Sequence, residues 1–182
     1  MDDKWVEANL SRVHAIKRGL ILILQESWPE ESVIYRLEQD HESHDACHLL
    51  RAVCVELNAR YPTLRLFWKD ENLRWLGGCA RFAQDAGGTD AADLIGLSDD
   101  SPGVPFQRQA AKYHRDDRKV MKIGHAYNIV ERQDRDENVV AWLRTSKVAI
   151  HDGERVCGLV GGYDEVDVAT VRRIQSNPPN KR

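Results

Sequence analysis

The sequence lacks a hydrophobic run long enough to cross a membrane. Its longest uninterrupted aliphatic stretch is Leu20–Leu24, whereas a membrane-spanning helix needs about 20 apolar residues. The chain also opens on Met-Asp-Asp, which is acidic where the start of a secretory signal peptide is basic. These absences argue against a membrane protein and a secreted protein, and they predict a cytoplasmic protein with no membrane partner.

The sequence also lacks paired cysteines and an excess of positive charge. Its four cysteines, Cys47, Cys54, Cys79 and Cys157, are scattered without a Cys-x-x-Cys motif, so a disulfide scaffold is not expected. Lys and Arg total 26 against 29 Asp and Glu, which gives a net charge of −3. A nucleic-acid-binding domain usually carries a basic surface. We therefore expect no nucleic acid among the partners.

What is present is the composition of a globular protein, with helical periodicity in the first third of the chain. Of the 182 residues, 42% are hydrophobic and 30% charged, as in soluble domains. Two apolar seams recur at three- and four-residue steps, separated by a break at Ser27-Trp28-Pro29. The first seam comprises Val6, Leu10, Val13, Leu20 and Leu24, and the second comprises Ala46, Leu50, Val53 and Leu57.

The two seams predict that residues 1–61 form two or three amphipathic helices. One helix lying on a sheet could bury one seam, and the other seam would stay exposed unless it met a partner chain. We therefore expect residues 1–61 to be a helical extension that makes a homodimer. The alternative is a helical hairpin that buries both seams within one chain.

After Pro62 the hydrophobic period changes to two, which is typical of strands. Leu64–Trp68 and Leu73–Leu76 predict a hairpin around the turn Lys69–Asn72. Pro105 is expected to begin a helix that Gly124 ends. Three more strands follow, at Ala126–Gln133, Val139–Ala149 and Arg155–Val166. This order predicts an α+β domain with a five-stranded antiparallel sheet and helices on one face.

The same order of elements, with these residues, resembles the PAS sensory domain of bacterial signal-transduction proteins over residues 64–167. The segments LRLFWKDENLRWLGGCARFAQDAG, Leu94-Ile95-Gly96 and AAKYHRDDRKVMKIG are similar to the family's first hairpin, middle segment and long helix. WLRTSKVAIHDGERVCGLVGGYDEV resembles its last two strands. The chain departs from the family at Phe106, where many relatives have Trp, and after Tyr163, where many end in Asp-Ile-Thr.

The resemblance implies a sensor that binds a small ligand or cofactor between sheet and helices and relays a conformational change to an effector such as a kinase or cyclase. No enzyme activity is expected. Residues 62–167 would form the PAS domain, residues 1–61 the dimerising and relaying extension, and residues 168–182 a tail or linker. Two alternatives stay open: a ligand-free interaction scaffold, and a regulatory fragment of a diguanylate cyclase or histidine kinase. The Met1 start favours an intact N-terminus.

Strand alternation predicts which side chains share one face of the sheet. Reading the hairpins about their turns pairs Lys147 with Gly158, and Thr145 with Tyr127 and Val160. The resemblance places this face toward the pocket, with Glu131, Thr145 and Lys147 orienting a ligand, unless Glu131 and Lys147 lie at solvated sheet edges. The expected ligand-binding residues are Phe106, Tyr113, Tyr127, Ile129, Glu131, Leu143, Thr145, Lys147, Gly158 and Val160.

No cofactor or metal is indicated by the residues. Cys79 lacks the sequence context of a flavin-adduct cysteine, and His114 and His125 are the only histidines placed where a haem ligand could lie. Non-covalent flavin and haem stay open, and the ligand is unknown. The histidines of the cluster Asp40–His48 could approach a metal on a helix, but a solvated helix start is favoured and no metal site is predicted.

Overall fold

The architecture is known from a computed structural model that describes residues 10–40, 46–136 and 139–176. Three helices come first, and a sheet with intervening helices follows. The helices are α1 (Leu10–Ser27), α2 (Glu31–Gln39), α3 (Ala46–Arg60), α4 (Ala80–Asp85), α5 (Ala110–Ile123) and α6 (Val168–Ser176). The strands are β1 (Arg65–Asp70), β2 (Trp75–Gly78), β3 (His125–Asp136), β4 (Val139–Asp152) and β5 (Arg155–Glu165).

The predicted five-stranded antiparallel sheet is confirmed, with the strand order β2-β1-β5-β4-β3. β2 and β3 lie at opposite edges, so the chain between them must cross one face of the sheet. It does so through α4, two 3-10 helices (Ala91–Leu94 and Pro105–Gln109) and α5. We call this covered side the inner face. The cavity described below lies between it and α5.

Helix α1 covers the opposite, outer face and packs mainly on β4 and β5. Gly19 makes this close approach feasible, because a Cβ there would lie 2.8 Å from Ile150 Cγ2 and 2.9 Å from Val160 Cγ2. A glycine inside a helix costs about 1 kcal/mol relative to alanine, yet α1 runs through it without a break. Contact with the sheet therefore outweighs the local preference.

Both apolar seams of the helical extension are buried within one chain. Val13, Leu20 and Leu24 of the first seam are fully buried, as are Val53 and Leu57 of the second. Val6 and the side chains of Leu10 and Ala46 lie outside the described residues. The expectation that one seam stays exposed is therefore wrong, because α2 and α3 pack with α1 into the same hydrophobic core.

The structure differs from the sequence expectation in two further places, one near each end of the PAS-like region. Lys69, predicted in a turn, is the fifth residue of β1 and is 2% exposed. Val168–Ser176, expected in a tail or linker, forms α6, and its Val171 is buried. Within the described ranges, no helix is long and apolar enough to cross a membrane.

Replacing Gly19 with leucine should separate α1 from the sheet. Overfilling a packed site costs about 1–3 kcal/mol, so we expect Gly19→Leu to lower the free energy of unfolding by about 2 kcal/mol. Gln25→Leu on the exposed side of α1 is the matched control and should change it by less than about 0.5 kcal/mol. Urea unfolding of the full chain measures both. Equal stabilities of the two variants would contradict this packing.

Candidate ligand-binding site

A small cavity of about 40 Å³ lies between the inner face of the sheet and α5. Its walls combine aromatic rings with buried polar groups, the usual make-up of a small-molecule site. The lining side chains come from β1, β3, β4, β5, α4, α5 and the segment between α4 and α5. They are Phe67, Lys69, Phe82, Asp99, Phe106, Tyr113, Glu131, Gln133, Leu143, Thr145, Lys147 and Tyr163.

A cluster of buried charges holds α5 against the sheet behind this cavity. Asp117 of α5 is fully buried and accepts hydrogen bonds from Lys147 Nζ at 2.6 Å and Lys69 Nζ at 2.7 Å. Lys69 also donates to Asp99 Oδ2 at 2.5 Å. Two ammonium groups are thus matched by two carboxylates. We call these four residues the charge cluster.

The electrostatics of the charge cluster keep Asp117 and Lys147 ionised. Burial alone would raise the pKa of Asp117, but the ammonium groups of Lys147 and Lys69 outweigh it and lower that pKa to about 2. Burial alone would lower the pKa of Lys147, but Asp117 and Glu131 raise it above its ordinary value. Opposite charges at hydrogen-bonding distance stabilise the charged forms more than burial penalises them here.

Lys147 and Thr145 keep unused hydrogen-bonding capacity at the cavity. The Lys147 ammonium has three N–H donors and, within the described chain, donates one hydrogen bond, to Asp117. Thr145 Oγ1 is buried without a partner of normal geometry among the described residues, although it lies near enough to Glu131 to help lower that carboxyl's pKa. Buried polar groups of this kind are usually satisfied by water or by a ligand.

Aromatic rings close the other side of the cavity. Phe82 of α4 stacks on Phe67 with 5.0 Å between ring centroids and on Phe106 with 5.9 Å. Tyr163 of β5 meets the Phe82 ring edge-on and donates a hydrogen bond to Asp85 Oδ2 at 3.0 Å. Burial and the Asp85 carboxylate raise the pKa of Tyr163 well above its ordinary value, so this hydroxyl stays protonated.

Six of the ten residues predicted from the sequence line this cavity: Phe106, Tyr113, Glu131, Leu143, Thr145 and Lys147. The β3–β4 pairing explains why Glu131 is correctly placed although the predicted register is wrong. Thr145 pairs with Ile129 instead of Tyr127. An offset of two residues leaves every side chain on its original face.

The remaining four residues do not line the inner cavity. Ile129 lies in an adjoining cleft, and Tyr127 stacks on His125 because the ladder is irregular between Ala126 and Ile129. Lys147 pairs with Gly161, three residues beyond the predicted Gly158. Because an odd offset moves side chains to the other face, Val160 points to Gly19 of α1.

Gly158 has a role at the sheet instead of in the cavity. Its φ is +148°, and a Cβ there would lie 2.0 Å from the carbonyl oxygen of Lys69. The position pairs with Asp70 of β1 and with Ile150 of β4. Its glycine therefore allows close approach of strands β1 and β5.

Sequence reasoning missed three members of the charge cluster: Lys69, Asp99 and Asp117. Asp117 carried a usable signal, because it follows Tyr113 by four residues and precedes Val120 by three. That spacing puts a carboxylate on the buried stripe of the helix. Lys69 shares the strand parity of Phe67, which also points inward. Asp99 lies between the 3-10 helices, where no periodic pattern predicts its direction.

Flavin and haem do not fit the inner cavity. A volume of about 40 Å³ is far below the roughly 300 Å³ at which small-molecule pockets begin, and none of its lining residues is a histidine. His114 Nε2 lies 3.5 Å from Asp99 Oδ2. His41 and His44 lie outside the described residues, and among those described no cluster of His, Cys, Asp and Glu could hold a metal.

Comparison with known proteins assigns the fold. No protein-family model and no curated protein matches the chain. Solved structures do. A ligand–DNA complex of VqmA from Vibrio cholerae aligns with a TM-score of 0.53 and 16% identity over 79% of this chain and 62% of that one. A structure of the VqmA dimer aligns with a TM-score of 0.54 and 18% identity over 71% and 53%.

The PAS domain of BvgS from Bordetella pertussis also aligns, with a TM-score of 0.48 and 16% identity, over 73% of this chain and 96% of that one. The strand order and the helices across the inner face are those of a PAS fold, as the sequence resemblance implied. The aligned region spans less than two thirds of the VqmA chains.

The prediction that excluded nucleic acid is wrong in the light of these structures. VqmA, which shares the fold, was solved as a complex with a ligand and DNA. The prediction was based on the net charge of −3. Net charge bears only on direct electrostatic contact between the protein surface and phosphates, so it does not exclude nucleic acid as a partner.

The charge cluster predicts acid sensitivity. Because Asp117 has a folded-state pKa of about 2 against an ordinary 3.8, its ionised form contributes about 2 kcal/mol of stability above about pH 5. That contribution is lost as the pH falls toward 2. We expect urea unfolding at pH 7 and pH 3 to show about half of this loss, about 1 kcal/mol, in the wild type.

At pH 7 the free energy of unfolding of Asp117→Asn should be about 3 kcal/mol lower than that of the wild type. Between pH 7 and pH 3 it should fall by less than the free energy of unfolding of the wild type does. Asp152→Asn, at an exposed position, should retain the wild-type pH dependence. An Asp117→Asn variant with the wild-type dependence would show that another carboxyl group is responsible.

Proposed function

We propose that the protein is a sensory module whose ligand binds at the inner cavity and accepts hydrogen bonds from Lys147 and Thr145. The observation that carries the proposal is the spare hydrogen-bonding capacity of these two buried side chains, in a cavity between the sheet and α5. A ligand supplying acceptor atoms there would remove the cost of leaving buried polar groups unpaired.

The cavity must widen to admit anything larger than water, since about 40 Å³ accommodates one or two water molecules. The segment of residues 86–109, between α4 and α5, is suited to this movement. It contains Gly87, Gly96 and Gly103 at positive φ, and its Phe106 is only partly buried against the aromatic wall. Binding sites often open by displacement of such a segment.

A hydrogen-bonded path supports a relay from the cavity to the helical extension. Ser146 lies between Thr145 and Lys147 but faces outward, where its Oγ lies 2.6 Å from Ser27 Oγ at the end of α1. The same oxygen accepts a hydrogen bond from the Asn128 backbone N–H at 2.8 Å, and Asn128 donates from its side chain to the Glu26 carbonyl. A ligand that shifts β4 would therefore move the end of α1.

A ligand-free scaffold is the second candidate, and the small size of the inner cavity favours it. In both cases the homodimer stays a prediction, now without the argument from an exposed seam. The output also stays a proposal: the resemblance suggests a kinase or cyclase, and the VqmA comparison suggests a DNA-binding segment. A non-enzymatic role and a cytoplasmic location are further expectations.

Native mass spectrometry of the full chain, combined with an absorbance spectrum, should reveal a co-purifying small molecule. Thr145→Val and Lys147→Met should each retain less of this molecule than the wild type. The loss of a hydrogen bond to a charged group should reduce the retained amount about tenfold or more. Lys122→Met, on the exposed side of α5, should retain the wild-type amount. Wild-type protein that carries no ligand and binds none from cell extract would favour the scaffold.

The relay predicts a change in hydrogen exchange at the end of α1. Protein carrying its ligand should exchange more slowly at Glu26–Trp28 than protein stripped by unfolding and refolding, because β4 and α1 are joined through Ser146. Ser146→Ala should bind the same ligand and lose this difference. Ser32→Ala, at an exposed hydroxyl of α2, should keep it. If Ser146→Ala also keeps it, the signal takes another route.

A further inference from the structure

The inner cavity adjoins a much larger cleft of about 450 Å³ between α5 and β3. Glu131, Thr145 and Lys147 line both spaces, so these three side chains form the wall where the two meet. The volume of the cleft lies within the range of small-molecule sites. It offers a ligand the room that the inner cavity lacks.

One end of the cleft is polar and carries both signs of charge. Glu131 uses Oε1 to accept a hydrogen bond from Lys112 Nζ at 2.7 Å, and Thr145 lies near enough to the same carboxylate to lower its pKa. Burial raises the pKa of Glu131, but Lys147 and Lys112 lower it below its ordinary value, so the carboxylate is ionised at neutral pH. The Lys147 ammonium lies beside it with donors to spare.

The cleft also has aliphatic lining residues, which are incompletely covered and lie in the same wall as Lys119 and His125. Val120 and Ile123 of α5 and Ile129 of β3 line it. Ile123 is 55% exposed and Ile129 is 46% exposed, although isoleucine is among the most often buried residue types. An apolar group lying here would remove both side chains from water.

The charges around the cleft balance. Two cations, Lys119 and Lys147, and two anions, Asp116 and Glu131, line it, and His125 lies among them. A ligand with a net charge would bring an uncompensated charge into a partly buried site, which is costly. A ligand with one charge of each sign adds none.

From this arrangement we propose that the ligand is an apolar α-amino acid bound as its zwitterion. Its ammonium group binds Glu131, its carboxylate accepts from Lys147 and Thr145, and its side chain lies along Val120, Ile123 and Ile129. The inference rests on the proposed function, since it names the chemical class of the ligand for the same polar groups.

Titration calorimetry of the full chain with L-leucine tests this assignment, with L-phenylalanine as a larger probe. We expect binding of one molecule per chain with a Kd on the order of 1 mM or lower. Isocaproate lacks the ammonium group of leucine, and isoamylamine lacks its carboxylate. Each should bind about tenfold or more weakly than leucine, because one charged hydrogen bond is lost.

Glu131→Gln and Ile129→Gln should each weaken leucine binding, the first about tenfold, while Glu154→Gln, in the exposed β4–β5 turn, should not. Ile129→Gln alters a side chain that is already exposed, so it provides a test even if Glu131→Gln fails to fold. Variants that bind leucine like the wild type would overturn the placement.

The remaining outcomes separate this inference from the proposed function. Isocaproate or isoamylamine binding as tightly as leucine would overturn the zwitterion. If the protein binds no amino acid but holds another molecule at Lys147 and Thr145, the zwitterion assignment is wrong and the proposed function stands. Absence of any ligand would overturn both.

Discussion

The structure depends on one buried carboxylate, that of Asp117, which joins α5 to the sheet. It accepts hydrogen bonds from Lys147 of β4 and Lys69 of β1, two strands separated by β5. Removing one partner would leave an unpaired charge in the interior, which is more costly than losing an exposed ion pair. This contact therefore fixes the position of α5, and with it the depth of the inner cavity.

The same contact gives the cavity its chemistry. Because Asp117 lies against the Lys147 ammonium, that group stays charged although it is buried. Lys147 is held in place by one hydrogen bond while the rest of its donors stay available. A structural ion pair thereby also presents a binding group, and Ser146 on the reverse side of β4 connects that group to α1.

Much of the fold could be predicted from the sequence, since hydrophobic period, turn residues and chain order all act locally. The positions of the strands, and the shared face of Glu131, Leu143, Thr145 and Lys147, followed from alternation, and the family resemblance placed that face toward the pocket. The register of the strand pairs could not be predicted in this way. The irregularities near Asn128 and between Ile150 and His151 shift the pairing, and the odd shift in β5 reversed the placement of Val160.

The charge cluster was harder to predict, because its partners are far apart in the chain. Lys69 and Asp117 are 48 residues apart, and local patterns do not report such pairs. The expectation that one apolar seam of the helical extension stays exposed was wrong for a similar reason. A count of apolar residues shows how much surface must be buried, but whether α1, α2 and α3 bury it together depends on their packing in three dimensions.

A double-mutant cycle between Asp117 and Lys147 tests the central claim, that their contact holds α5 on the sheet. Urea unfolding of Asp117→Asn, Lys147→Met, the double variant and the wild type gives the coupling free energy. We predict about 2 kcal/mol or more, as for side chains in one buried network, with the double variant more stable than the sum of the single losses implies. A coupling below about 0.5 kcal/mol would contradict the account, because residues that do not interact give additive effects.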